Sequence, residues 1–305
     1  MQIHGINTAC GLALCCLLAG CGGGSTPGGG SLSDQYHKAM EVTNPTARVT
    51  RLLQVADRQR KARDMLGADR TLGSAAQAAA GIEDAIGRAI ALNRVASAMA
   101  RMDRLSEAKK VLRTVRQTSE EISEPESKVS VLTRMAYTYG KYLGKKDIAS
   151  ASLQQCEEIA GAIARPEGRI ESLLEVALTY FGLGQSDRMQ AVLDRSLEAA
   201  RSLGDERQRA DALADAGAIL GKMKKADEAK KVFQEAQAAA EAIDDPLRQG
   251  HALVHLAQRL AEAGFKGAAQ KILRQAEAVA DKVADASMRG PLVEKIVATR
   301  KKLRR

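Results

Sequence analysis

Along most of the chain the apolar positions recur with helical spacing. In "RAIALNRVASAMARM" the residues Ile90, Leu92, Val95, Ala96, Met99 and Met102 follow helical spacing, on one stripe. Asp103-Arg104 breaks the pattern, and "SEAKKVLRTVRQTSEEI" resumes it with Ala108, Val111, Leu112, Val115 and Ile122. Two helices joined by a short turn are predicted. A lone pair of this kind buries its stripe only against neighbours, which points to a stack of such pairs.

The stack is visible as a period. The pairs Val55-Ala56, Val95-Ala96, Met135-Ala136, Val176-Ala177, Ala216-Gly217, Leu256-Ala257 and Ile296-Val297 follow one another at spacings of 40, 40, 41, 40, 40 and 40 residues. Four residues before the second member of each stands Leu52, Leu92, Leu132, Leu173, Leu213, Leu253 or Val293. Eight before it stands Arg48, Arg88, Lys128, Arg169, Arg209, Gln249 or Arg289. Asn44-Pro45 and Asp245-Pro246 mark unit boundaries, where the acid or amide caps a helix and proline at its first turn loses no hydrogen bond. Glu124-Pro125 and Arg165-Pro166 stand at the same boundaries with less suitable caps. The seventh unit has a first helix only, over 289–305, and its basic end suits a polar terminal cap.

These positions resemble the tetratricopeptide (TPR) pattern. One unit reads Leu213-x2-Ala216-Gly217-x2-Leu220, then Ala229-x3-Phe233; another reads Leu253-x2-Leu256-Ala257-x2-Leu260, then Ala269-x3-Leu273. A small residue on each helix lets the two backbones approach. The resemblance departs in length, the family unit being about 34 residues. It implies an all-α, right-handed superhelical solenoid of TPR-like repeats over 45–305, six repeats and a capping helix. HEAT-like helix pairs of similar length are the alternative at this point.

The amino terminus differs. An apolar run over 9–19 is too short to span a bilayer and ends in Leu18-Ala19-Gly20-Cys21. This resembles the bacterial lipobox, although no Lys or Arg precedes the run. The resemblance implies a signal peptide over 1–20, cleavage before Cys21 and a diacylglycerol on its thiol. With Gly22 next, it implies the periplasmic face of an outer membrane. Residues 21–44, rich in Gly and Ser at their start, are then expected to be a flexible tether with a reach of roughly 25–30 Å.

Composition narrows the functions. Aromatic residues are 3% of the chain and Trp is absent, which is poor material for a sheet-based enzyme core. Four of the five cysteines lie in the first 21 residues, so Cys156 stands alone in the body and no disulfide framework exists. Net charge is +9, but five of the positive residues lie in the last six, leaving a mildly basic body. No catalytic constellation stands out, and no cofactor is expected. "GKYLGKKD" is one residue short of a phosphate loop. His251 and His255, four apart, lack a third metal ligand. The basic residues are not interleaved with aromatic ones as in nucleic-acid binders.

In the TPR family the first helices line a concave groove that holds peptides or helices. Five of the eight aromatic residues lie in the first helices of units three and four: Tyr137, Tyr139, Tyr142, Tyr180 and Phe181. Tyr139, Tyr180 and Tyr142 align with core positions of other units. Tyr137 and Phe181 align with positions that face the groove in the family, and Leu174 and Leu178 join them. Arg94 and Arg134 align with each other and add charge to the groove wall. The sequence therefore leads to a lipid-anchored scaffold that binds another protein or peptide at the cell envelope. The alternatives are an accessory or assembly lipoprotein of a membrane complex, and an enzyme whose site the sequence does not reveal.

Overall fold

The computed structural model describes residues 30–303. Among the described residues all regular structure is helical. The first helices of the units are α2 (Pro45–Lys61), α4 (Ala85–Arg101), α6 (Pro125–Lys141), α8 (Pro166–Gly182), α10 (Glu206–Lys222), α12 (Pro246–Glu262) and α14 (Ala286–Leu303). The second helices are α3 (Met65–Ala80), α5 (Leu105–Ser119), α7 (Lys146–Gly161), α9 (Ser186–Arg201), α11 (Ala226–Glu241) and α13 (Lys266–Ala280). A short α1 (Leu32–Met40) precedes them. This is the helical-repeat solenoid that the period implied.

Each first helix from α2 to α12 packs most extensively on its own second helix. Consecutive first helices also pack directly on one another, whereas second helices reach the next unit mainly through its first helix. Closer packing on the first-helix side makes that side the inner, concave one. The marker residues sit at the contacts: Leu52, Leu92, Leu132, Leu173, Leu213 and Leu253 are buried, as are the small residues four positions on. At Gly217 the reason for smallness is explicit. A Cβ there would stand 2.7 Å from Cε1 of Phe233 on α11, so the ring occupies the space a side chain would need.

The turn inside each unit follows one design. The N–H groups of Asp64, Arg104, Gln185, Lys225 and Phe265 donate to the carbonyls of Gln59, Met99, Tyr180, Leu220 and Leu260, five residues back, at 2.8–3.0 Å. This is the Schellman closure, which needs one residue in the left-handed region. That residue is Arg63, Asp103, Gly144, Gly184, Lys224 or Gly264 in successive units. The odd spacing of 41 arises here: in the α6–α7 turn Lys145 reaches back six residues, to the carbonyl of Tyr139.

The residue that stands eight positions before the second member of each pair fastens the loop between units in several of them. Arg48 donates to the carbonyl of Val42 (2.7 Å), Arg88 to that of Ile82 (2.9 Å) and Arg209 to that of Leu203 (2.8 Å). Gln249 does the same toward Glu241 (3.1 Å), and Lys128 instead pairs with Glu120 (2.8 Å).

Several expectations need correction. Asn44, Asp84, Asp205 and Asp245 cap their helices, but Glu124 and Arg165 make no side-chain cap bond. The segment 21–44 is not a tether throughout: Ser31 and Asp34 form a capping box, and α1 packs on α2. Leu174, expected in the groove, is buried in the core. The terminal helix starts at Ala286, and its outer surface is not purely polar, since Met288, Val293 and Val297 are exposed. Cys21 and the rest of 1–29 lie outside the described residues.

Candidate functional site

The concave face is built from repeat-equivalent rows on the first helices. Two positions before the second member of each repeating pair the row reads Gln54, Arg94, Arg134, Glu175, Asp215, His255 and Lys295. One helical turn earlier it reads Thr50, Ile90, Ser130, Glu171, Asp211 and His251. Bonds between neighbouring units join the rows. Arg94 donates to Thr50 (3.2 Å), Ser130 and Thr133 donate to Glu175 Oε1 (3.1 and 3.2 Å), and His255 Nε2 lies 3.0 Å from Asp215 Oδ1. The long row thus runs from cations on α4 and α6, through acids on α8 and α10, to basic residues on α12 and α14.

The four acids in the middle are not equivalent. Glu175 is enclosed, and burial pushes its carboxyl above the usual range, opposed by Arg134 and by the two hydroxyl groups. Asp215 is half-buried, and its bond to His255 and the charges of His255 and Arg259 outweigh the effect of burial and hold it below the usual range. Arg259 Nε stands 2.5 Å from it. Glu171 and Asp211, one turn away on the same helices, have no such partners. Burial raises Glu171, and repulsion from Asp215 adds to the effect. Burial raises Asp211 too, against partial relief from His255 and Arg207. The Arg207 Nε contact is long, at 3.7 Å, and Asp211 Oδ1 is covered with no hydrogen-bond partner. Two carboxylates at the centre of the groove are therefore short of positive charge.

The aromatic group lies toward the other end of α6 and α8. Tyr137 meets Tyr142 edge-on, with ring centroids 6.0 Å apart. The Tyr137 ring also covers Gly182 of the next unit, where a Cβ would fall 2.8 Å from Cε2. Tyr137 thus takes part in the stacking of units three and four. Leu178 is half-buried, and Phe181 stays 38% exposed although it is a large ring. Of the residues singled out from the sequence, Phe181 and Leu178 leave apolar surface accessible, Tyr137 packs against Gly182, and Arg134 serves Glu175.

The acid rows escaped the sequence reading, although the signal was present. Glu171 and Asp211 are 40 apart, as are Glu175 and Asp215, and His251 and His255 continue both series. The 40-residue register that exposed the leucine ladder would have aligned them. His255 is a partner of Asp215, and among the described residues no group of three or more His, Cys, Asp or Glu side chains is placed to hold a metal ion. No described helix is long and apolar enough to cross a membrane.

Fold and site define a helical-repeat protein with a charged inner groove. No protein-family model matches the chain, and no curated protein matches it. Among solved structures it is similar to Ton1535 from Thermococcus onnurineus NA1, at 14% identity over 87% of this chain and 94% of that one, with a TM-score of 0.45. It is also similar to the TPR-like repeats of a putative kinesin light chain from Podosopora anserina, at 20% identity over 67% and 100% of the two chains and a TM-score of 0.35. Aspartyl phosphate phosphatase F from Bacillus subtilis shows 14% identity over 89% and 72%, with a TM-score of 0.38. The fold assignment rests on the packing described above, not on likenesses of this size.

Proposed function

We propose that the protein is a binding scaffold that holds a segment of a partner protein in its concave groove. A cationic side chain of that segment lies between Glu171 and Asp211, and an apolar one rests on Phe181 and Leu178. The observation that carries this reading is the pair of central carboxylates without adequate partners. Glu171 is exposed and Asp211 half-buried with only a long contact to Arg207, so an incoming lysine or arginine adds a charge-assisted bond there. Further along α8 the exposed ring of Phe181 supplies a separate apolar contact of the kind that interfaces concentrate in a few residues.

We place this scaffold at the bacterial envelope, tethered through lipid on Cys21, on the strength of Leu18-Ala19-Gly20-Cys21 and the Gly-rich stretch after it. The test is a photoreactive residue at position 181 in intact cells. The expected result is a discrete cross-linked protein that is lost in the Glu171→Gln, Asp211→Asn double variant. Equal cross-linking in that variant would refute the role of the acids. Separately, Cys21→Ser should release the protein from membranes, and unchanged membrane association would refute the anchor.

A further inference from the structure

On the outer side of the stack, clefts lie between successive second helices. Two of them occupy equivalent places in neighbouring units. One, of about 290 Å³, is lined by Glu157 on α7 and by Arg188 and Arg195 on α9, among others. The other, of about 270 Å³, is lined by Arg113, Arg116 and Gln117 on α5, Met135 and Tyr139 on α6, and Ile148 on α7. The repeat register matches Arg116 with Glu157, Tyr139 with Tyr180 and Ile148 with Arg188, at spacings of 41, 41 and 40.

The first cleft carries a carboxylate of its own. Tyr180 donates its hydroxyl to Oε1 of Glu157 (2.7 Å), and Arg195 donates to Oε2 (3.1 Å), so both oxygens are engaged. In the second cleft Arg116 stands where Glu157 stands in the first. Among the described residues the hydroxyl of Tyr139 has no hydrogen-bond partner, and Arg113 forms no ion pair. Arg116 reaches only Glu120, at 3.8 Å, and Lys128 holds that acid at 2.8 Å. The charges of Arg113 and Arg116 act on the Tyr139 hydroxyl and oppose the rise that burial imposes on it. Two guanidinium groups and a phenol thus face one cleft that has no carboxylate in its lining. Ile148, 45% exposed, sets an apolar wall where the other cleft has Arg188, and Met135 is buried beneath.

We infer that the cleft between α5 and α7 binds a small organic acid. Its carboxylate takes the part that Glu157 plays one unit on, accepting from Tyr139 and from the two arginines, and its apolar body lies against Ile148 and Met135. Bonds from guanidinium and hydroxyl donors to a carboxylate are among the strong ones. The volume, at the low end for ligand sites, suits a short-chain or single-ring acid. None of these residues belongs to the concave groove, so the site is independent of the partner reading above.

The test measures dissociation constants of hexanoate, hexanol and acetate on the full chain by ligand-detected NMR. Hexanoate should bind about tenfold more tightly than hexanol, which lacks the charge, and than acetate, which lacks the tail. Ile148→Ser should remove most of the preference for hexanoate over acetate. Arg116→Glu should abolish binding, because it builds into this cleft the carboxylate that its neighbour carries. In that background Glu157→Ala should restore carboxylate binding at the neighbouring cleft by freeing Tyr180 and Arg195. Glu158→Ala makes the same change of charge beside it and should not. Hexanoate bound no better than hexanol, undiminished binding in Arg116→Glu, or equal restoration by Glu158→Ala would each overturn the inference. A capped glutamate peptide that binds more tightly than hexanoate would overturn it too, by assigning the cleft to an acidic partner segment.

Discussion

Replacing Lys224 by glycine should stabilise the protein, and the expected size follows from the turn it occupies. Lys224 has φ of 60°, in the left-handed region, as do Arg63 and Asp103 at equivalent turns. Holding a residue with a Cβ there costs roughly 1–2 kcal/mol. Glycine removes that cost but gives up roughly 0.5–1 kcal/mol through its greater freedom in the unfolded chain. The net gain is about 0.5–1 kcal/mol. Steric contact does not confuse the estimate. At the glycines that fill the same turn position, Gly144, Gly184 and Gly264, an added Cβ would meet no heavy atom within 4 Å. The proper comparison is Lys224→Gly against Lys224→Ala, because both remove the charge and only the first removes the Cβ. Urea unfolding should be paired with exchange of the Lys225 amide, which closes this turn, because long repeat arrays depart from two-state behaviour. The glycine variant should protect that amide about two- to fivefold better than the alanine variant. Equal protection, or a less stable glycine variant, would refute the argument from backbone angle. Arg63→Gly should behave alike, and Asp103→Gly should gain less, since aspartate tolerates this region better.

Other outcomes follow from single contacts. Gly217→Ala should destabilise by about 1–3 kcal/mol in thermal or urea unfolding, and Phe233→Leu in the same chain should restore much of the loss, since the ring is what the new Cβ strikes. Phe181→Ala should weaken partner capture while leaving the unfolding midpoint nearly unchanged, whereas Tyr137→Ala should lower the midpoint because its ring covers Gly182. The carboxyl of Glu175 is raised above its ordinary value of 4.5, so the folded state binds more protons there than the unfolded state does. Its contribution to stability should therefore decline as pH rises from 4.5 through the folded-state value, and Glu175→Gln should flatten that part of the pH–stability curve. Asp215, held low, should act in the opposite sense, with stability lost as pH falls below 3.8.

The helices were legible in the sequence because their stripes are periodic and their boundaries carry Pro, Asp or Gly. The turns were legible only as interruptions: Asp103-Arg104 marked a break, but nothing in a lone Arg63 or Lys224 announces left-handed backbone, since lysine and arginine are rarely found there. Helix α1 was hidden by the Gly- and Ser-rich composition just before it, although Ser31 and Asp34 form its cap. Leu174 was misplaced because a leucine on a first helix suits either the groove or the contact with the next unit, and which one it meets depends on how adjacent units rotate. The acids of α8 and α10 are polar in any reading of one helix. The partners of Glu175 and Asp215 lie on neighbouring helices about 40 residues away, which a local pattern does not report.

The extra residue in the α6–α7 turn has a practical meaning. The chain accommodates it by letting Lys145 reach one residue further back, and the marker residues on either side keep their places in the stack. A length change has thus already been accepted at this corner without disturbing the neighbouring units. The tip at Gly144 is exposed, and a Cβ there would touch nothing. This corner is the natural point at which to splice an epitope, a fluorophore-bearing loop or a whole inserted domain, giving a handle on the intact molecule that leaves the groove open.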